Sequence, residues 1–279
     1  MEKIINLSDQ HTILDFMDKK IIEDKIKGGP KRTRIIITDH DTGEVLQDVE
    51  NKIVISGSMF SAENAFGVKP PIILPSYNDE LQLDNTVAED IEPKNRPIVC
   101  LFCIGDDGCG NKPTDVFTAK YTDRIAPEGV FPFRYVDIDN DINEDLRKYY
   151  FGRKVLRDEG KIAYYFKAFH TEPQMHLRYT DGTQINSEMY NISTNQAAEC
   201  YIETRLRVTR TDFRDYFEQV LGWDKARIST LSLCYAWYDD TIDEYKWYQD
   251  IYPYSKLNFS VEHLVELTKA IDFRYMVYY

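Results

Sequence analysis

The most regular pattern of apolar and polar positions lies in the last third of the chain, residues 198–279. Over residues 202–209 apolar and polar side chains alternate, which predicts a half-buried, antiparallel strand. The period changes at Thr211 and Asp212, whose side chains can cap a helix. Apolar residues then recur at helical spacing up to Leu221, and Gly222 follows where a helix commonly ends.

The pattern beyond this helix predicts further strands. Residues 228–238 alternate large and small side chains and read as a strand. An acidic loop follows at 239–244, and Pro253, Tyr254 and Phe259 predict an irregular crossing. Ser260 is expected to cap a second helix that runs to Ile271. The aromatic run 273–279 predicts a strand that pairs either within the fold or with a neighbouring subunit.

The first 66 residues divide into two parts. Residues 1–30 predict a helical arm, capped near Ser8 and stopped by Gly28, Gly29 and Pro30. This arm is expected either to dock on another subunit or to pack on its own domain. Residues 31–66 predict a β-hairpin around the turn 39–43, a third strand at 53–56 and a short helix at 59–66.

The remainder is expected to form the main domain. Residues 67–97 carry five prolines and predict an extended connection. Within 98–279, the apolar run 98–104 predicts a buried strand, and residues 162–170 and 175–180 predict a strand pair around Pro173. Residues 111–160 are expected to be irregular, with a helix at 147–156. The predicted fold class is mainly β within α+β, with an antiparallel, sandwich-like core and a few short peripheral helices.

Composition narrows the function classes. The 279 residues carry 34 Lys and Arg against 47 Asp and Glu, a net charge of −13. Nucleic-acid binding needs clustered basic residues, so this balance argues against it. There is no apolar run long enough to span a membrane and no apolar leader at the N-terminus. Five unevenly spaced cysteines do not resemble a disulfide framework, which favours synthesis in a reducing compartment.

Three groups of residues could bind a metal, and each has a simpler interpretation. Cys100, Cys103 and Cys109 lack a fourth ligand, so inert thiols are favoured over a zinc site. A run resembling the start of a calcium loop lacks the required Gly and final acid, so it is interpreted as a solvated turn. A third set could form a zinc site if strands pair around Pro173, although ordinary hairpin residues are the simpler reading. The second set is Asp137, Asp139, Asp141 and Asn143, and the third is His170, Glu172 and His176.

Motifs of nucleotide and hydrolase chemistry do not occur. The glycines at 105, 108 and 110 have neither the spacing nor the following helix of a dinucleotide site. The sequence contains no G-x-S-x-G, no phosphate-binding P-loop and no H-E-x-x-H. We therefore expect no enzyme activity, no cofactor and no catalytic residue. Aromatic residues remain as candidates for contacts with a partner chain or a sugar. These interface candidates are Trp237, Tyr238, Trp247, Tyr248, Tyr275, Tyr278 and Tyr279.

A succession of short motifs resembles virion structural proteins of large tailed bacteriophages. The motifs are YYFGRK at 149–154, IAYYFKAF at 162–169, YTDGT at 179–183, ETRL at 203–206, TDFRDYF at 211–217, ARISTLSL at 226–233, LNF at 257–259 and IDFRY at 271–275. The segments DTGEVL at 41–46 and NKIV at 51–54 are similar to the first hairpin of many tail, neck and baseplate proteins. The resemblance covers residues 34–66 and 98–279.

This resemblance implies a non-enzymatic subunit of a virion, in its neck, collar, tail or baseplate. The subunit is expected to be made in the host cytoplasm and to form a symmetric homo-oligomer with contacts to other virion proteins. Two alternatives stay open. One is a carbohydrate-binding β-sandwich for host recognition that stacks sugars near Trp237 and Trp247. The other is a metal-dependent hydrolase that uses His170, Glu172 and His176.

Overall fold

The computed structural model describes most of the chain. The described residues are 32–72, 74–84, 97–112, 114–179, 182–185, 198–223, 227–239, 247–260 and 270–279. Within these ranges the structure describes only the backbone of residues 32, 238, 239 and 247–249.

Strands dominate the described part of the chain. They are β1 (Arg32–Asp39), β2 (Val45–Ile53), β3 (Ile98–Gly105), β4 (Val130–Phe131), β5 (Arg134–Asp137), β6 (Tyr150–Leu156), β7 (Lys161–Ala168), β8 (Gln174–Tyr179), β9 (Ala198–Val208), β10 (Thr230–Asp239), β11 (Trp247–Asn258) and β12 (Ile271–Tyr278). The α-helices are short: α1 (Ile55–Phe66), α2 (Tyr77–Leu81), α3 (Glu144–Arg147) and α4 (Arg210–Tyr216), which a π-helical turn, Phe217–Leu221, continues.

The strands form one antiparallel sheet with an order that differs from their order in the chain. The order is β5-β7-β3-β10-β11-β2-β1-β12-β9-β8, with β4 added to β3 and β6 added to β7. Strand β12 lies between β1 and β9, with Arg32 opposite Tyr278 and Ile271 opposite Val208. The last strand of the chain is therefore an interior strand of the sheet.

The sheet curls so that its two halves share one apolar core. Ile35, Leu206 and Phe273 from one half are almost fully buried in the same cluster as Phe102 and Leu231 from the other. The helix α4 and its π-helical continuation add Phe213 and Phe217, which stack at 5.6 Å between ring centroids. This arrangement confirms the predicted fold class of an antiparallel, mainly β structure with short peripheral helices.

The other face of β3 and β10 carries a smaller core. Tyr77 of α2 is fully buried there and packs on Phe166 at 5.6 Å between ring centroids. Leu101 and Cys103 of β3 lie in the same cluster, as does Cys234 of β10. Strand β3 is thus covered on both faces, which explains its continuous apolar sequence.

Several predicted elements are confirmed. The β1–β2 hairpin and the strands β3, β9, β10 and β12 lie where the alternation of residues predicts them. The helix α4 begins one residue earlier than Thr211, because Thr209 is its cap. The Asp212 carboxylate accepts hydrogen bonds from the Thr209 backbone N–H at 2.6 Å and its hydroxyl at 3.0 Å. This reciprocal cap fixes the start of the helix.

The predicted irregular crossing at Pro253, Tyr254 and Phe259 is wrong. Pro253 and Tyr254 belong to β11, which pairs with β10 and β2. The register against β10 shifts between Leu233 and Cys234, and Pro253 stands opposite Cys234 at this bulge. A bulge tolerates a residue without a backbone N–H, so the proline does not end the strand.

The predicted helix at 147–156 is also wrong, and the stretch 111–160 is irregular only in its first part, up to the 3-10 turn Pro127–Gly129. Strand β6 occupies most of the first segment, and β4 and β5 lie in the second. The register between β6 and β7 is continuous, with Phe151 opposite Phe166 and Arg153 opposite Tyr164, and Gly152 between them has a φ of 67°. Glycine is depleted in strands, so the sequence around Gly152 does not look like a strand.

Two further strand predictions are wrong. The run 53–56 is not a third strand, because β2 ends at Ile53 and α1 begins at Ile55. Strands β7 and β8 exist but do not pair with each other: β7 pairs with β3, β5 and β6, whereas β8 pairs with β9. After β7 the chain crosses to β9, where the His170 N–H donates to the Arg205 carbonyl at 2.8 Å.

Three predicted elements fall outside the described residues. These are the arm 1–30, most of the acidic loop 239–244 and the helix between Ser260 and Ile271. The connection 67–97 is described in part, and it includes the helix α2. The segment 31–66 contributes β1 and β2 to the same sheet as the strands of 98–279.

Two glycines with nearly the same backbone conformation test the tight packing of β6. Gly152 and Gly160 have φ values of 67° and 64°, but a Cβ at Gly152 would lie 2.4 Å from the Phe166 ring, whereas one at Gly160 meets no atom within 4 Å. We expect Gly160→Ala to lower the free energy of unfolding by about 1–2 kcal/mol through backbone strain. Gly152→Ala should cost roughly 1–3 kcal/mol more through overpacking. Urea denaturation measures both, and equal losses would contradict the described packing of Gly152.

Candidate functional site

The predicted aromatic contact residues lie in different environments. Tyr275 is 1% exposed, and its hydroxyl bonds Ser255 Oγ at 2.6 Å and accepts from the Asn51 side chain. Tyr278 is 3% exposed and lies 5.3 Å from the Tyr201 ring. Both fill space within their own chain, so neither offers surface to a partner.

The other aromatic candidates lie nearer to the surface or outside the described side chains. Trp237 is half-buried on β10, and Tyr279 is 48% exposed at the end of the chain. The backbones of Tyr238 and Tyr248 pair near the β10–β11 connection, as Trp247 does with Asp239. The side chains of Tyr238, Trp247 and Tyr248 are among those not described.

The three predicted cysteine ligands do not share a site. Cys103 is fully buried with its Sγ 3.9 Å from Cys234 Sγ on the neighbouring strand, and burial raises the pKa of Cys234 well above its ordinary value. Cys109 lies instead on a loop, opposite Val116. All five cysteines are free thiols. Among the described residues, no three His, Cys, Asp or Glu side chains are placed to hold a metal ion.

The acidic turn after β5 lines a shallow polar pocket of about 400 Å³. Two of its carboxylates are engaged by protein donors: Asp137 accepts from Lys161 Nζ at 2.6 Å, and Asp141 accepts from the Tyr164 hydroxyl at 2.7 Å. Asp139 is exposed. The Asn143 side chain caps α3 by accepting the Leu146 N–H. The calcium-like spacing is therefore used for ion pairs and a helix cap.

The residues His170, Glu172 and His176 follow the crossing from β7 to β9 and do not lie on a hairpin of β7 with β8. His176 stacks on Tyr201 at 5.0 Å between ring centroids. Burial, together with the charge of Arg207, lowers the pKa of His170 below its ordinary value. The strand pairing on which the zinc hypothesis depends is absent from the described sheet.

The most enclosed ion pair joins α4 to the sheet. The Asp212 side chain is 0% exposed, and its carboxylate lies 2.9 and 3.0 Å from Lys167 Nζ. The Tyr150 hydroxyl donates to the same carboxylate at 2.6 Å, and burial, reinforced by this charge, raises the pKa of Tyr150. Each carboxylate oxygen has partners, so the group is suited to holding α4 in place.

Apolar side chains are exposed at the C-terminal end of α1 and in the residues that follow it. Phe66 is 80% exposed, Val68 65% and Ile72 50%. These three residues within residues 66–72 form what we term the apolar segment. Large apolar side chains grouped on a surface mark contact sites more often than isolated ones do. Sequence reasoning missed the segment because its prolines indicate only an extended connection, and exposure cannot be read from them.

Comparisons with protein-family models, curated proteins and solved structures found no match to this chain. Within the described ranges, no helix has the length and apolar character needed to cross a membrane.

The Asp212–Lys167 pair yields a prediction about stability. In Asp212→Asn the Lys167 ammonium, 13% exposed, loses its counter-charge. We expect the free energy of unfolding to fall by about 3–5 kcal/mol, because a buried charge is left unpaired. The control is Asp48→Asn, whose partner Arg34 is 44% exposed; there the loss should be about 0–1 kcal/mol. Similar losses in the two variants, measured by urea denaturation, would show that the Asp212 site is accessible to water.

Asp272 yields a prediction about pH dependence. Burial alone would raise the pKa of Asp272, but hydrogen bonds from Arg207 at 2.7 and 2.9 Å, with His40 nearby, hold it below its ordinary value. A carboxyl with a lowered folded-state pKa stabilises the fold above its unfolded-state pKa and loses this effect as pH falls through the folded value. The stability difference between wild type and Asp272→Asn should therefore shrink from about pH 5 to pH 2. A constant difference across this range would contradict the described Arg207 contact.

Proposed function

We propose that this chain is a non-enzymatic structural subunit of a tailed-phage virion, in its neck, collar, tail or baseplate. The subunit assembles through contacts between proteins, with copies of itself and with other virion proteins. The observation that carries this proposal is the apolar segment, whose three large side chains are at least half exposed. Burying such side chains in a contact is favourable by roughly 25 cal/mol for each Å² removed from water.

The arrangement of the polar groups supports a structural role. Several buried or half-buried carboxylates form ion pairs and hydrogen bonds that join separate strands and helices. They belong to Asp212, Asp141 and Asp272. Such networks rigidify a subunit, which helps it to present fixed surfaces to its neighbours. The resemblance over residues 34–66 and 98–279 points to the same class of protein.

The position of the apolar segment fits a contact role. It begins at Phe66, the last residue of α1, and Gly67 ends the helix with a φ of 65°. Helix α1 itself is anchored, because the Ser56 hydroxyl donates to the Pro253 carbonyl and Gly57 lies against the Tyr254 carbonyl. The helix at whose end the segment lies is therefore fixed to β11, which lowers the entropy lost on binding.

Removal of the apolar segment's side chains tests the proposal. The purified chain should form a defined oligomer by analytical ultracentrifugation, and Phe66→Ser, Val68→Ser and Ile72→Ser combined should shift it to monomer. Thermal unfolding should change little, since these side chains are exposed. The control is Val45→Ser, an equally simple change of a residue that is 55% exposed on the β1–β2 hairpin.

A chain that stays monomeric at every concentration, with no difference between wild type and the triple variant, would contradict the proposal. If that monomer bound immobilised glycans, and the Trp237→Ala variant did not bind them, the carbohydrate-binding alternative would be favoured. The half-buried Trp237 and the stacked rings of Tyr235 and Tyr252, 5.3 Å apart, are the surface that such binding would use.

A further inference from the structure

A lysine lies almost wholly inside the protein on β11. The Lys256 side chain is 5% exposed, and its Nζ lies 2.8 Å from Asp107 Oδ2 and 3.0 Å from the Arg124 carbonyl oxygen. Lysine is rarely buried to this extent unless it is paired. The contact joins the loop after β3 to β11, across 149 residues of sequence.

The two oxygens of the Asp107 carboxylate differ in their partners. Oδ2 accepts from Lys256 Nζ and from the Ala126 backbone N–H at 3.2 Å. The Asp107 side chain as a whole is 25% exposed, but its Oδ1 atom is buried and accepts no hydrogen bond from any described residue. A buried carboxylate oxygen without a donor is costly, so an ordinary ion pair leaves this geometry unexplained.

An amide bond between the two side chains accounts for the asymmetry. Amide formation removes both charges from the interior and retains one oxygen, Oδ2, which the Ala126 N–H already contacts. The oxygen that lacks partners, Oδ1, is the one that the reaction expels. We propose that Lys256 and Asp107 condense to an intramolecular isopeptide bond, which goes beyond the proposed role in assembly and does not depend on it.

The step balances without an oxidant or a co-reactant. One proton passes from Lys256 Nζ to Asp107 Oδ1, which leaves a neutral amine and a neutral acid. The Arg124 carbonyl accepts an amine hydrogen and orients the nitrogen, which attacks Asp107 Cγ to form the C–N bond. The Ala126 N–H stabilises the negative charge that develops on Oδ2. The C–Oδ1 bond then breaks, and Oδ1 leaves as water with a second hydrogen from Nζ.

The bond would fasten the loop after β3 covalently to β11. The loop is also held by hydrogen bonds, among them that of the Gly108 N–H, which donates to Ser229 Oγ at 2.9 Å. Burial of Lys256 holds the reacting groups together and restricts the water that would reverse the reaction.

Intact-mass measurement of the purified full chain tests the proposal. We expect a mass about 18 Da below that calculated from the sequence, the mass of one water, and a branched tryptic peptide that joins residues 107 and 256. Lys256→Arg should restore the full mass for its sequence. Asp107→Asn should form the same bond with loss of ammonia, a deficit of about 17 Da.

The Lys256→Arg variant distinguishes the isopeptide bond from another reaction that also loses water. Asp107 precedes Gly108, and an Asp-Gly pair can lose water by cyclising on its own backbone. That product keeps the deficit in Lys256→Arg and gives no branched peptide, which would overturn the proposal. A wild-type chain that keeps its full calculated mass after prolonged incubation at neutral pH would overturn it equally.

Discussion

The structure depends on the place of its last strand. Strand β12 is hydrogen-bonded along its length to β1 on one side and β9 on the other. Without β12, β9 and β8 would pair with no other strand of the described sheet. The apolar face of β12 carries Phe273 and Tyr275 into the main core, so pairing and burial reinforce each other.

This use of β12 changes where partners can bind. The aromatic end of the chain is expected from sequence to pair within the fold or with a neighbour, and the structure pairs it within the fold. The Tyr275 hydroxyl connects β12 to Ser255 of β11 and to Asn51 of β2, across the centre of the sheet. If the chain assembles as proposed, its contacts with other proteins must use other surfaces, among them the apolar segment at the end of α1.

The sequence predicted the strands whose residues alternate without interruption, and it failed where a local irregularity broke the period. Strands β9 and β12 are of the first kind, since each keeps a regular register with its neighbour. Strand β11 is of the second kind, because the bulge near Pro253 shifts its alternation by one residue. Strand β6 keeps its register, but it contains Gly152 at a φ of 67°, and glycine is not typical of a strand.

The candidate sites were less predictable than the fold, for a different reason. Asp212 and Thr209 carry a capping pattern that sequence can reveal, but the pairing of Asp212 with Lys167 brings together residues 45 apart. Lys256 and Asp107 are even farther apart in sequence, by 149 residues. They meet because the fold brings β11 next to the loop after β3. Periodicity reports local structure, whereas these contacts follow from strand order, which a single sequence does not encode in any local pattern.

Hydrogen exchange of the β12 backbone amides in a dilute, monomeric sample tests the central position of this strand most directly. Interior strands open only with large parts of the fold, so residues 272–278 should be among the slowest amides to exchange. Their protection should not change as the protein concentration rises. Rapid exchange of these amides in the monomer, with protection gained only on assembly, would show that β12 pairs with another chain and would contradict this account.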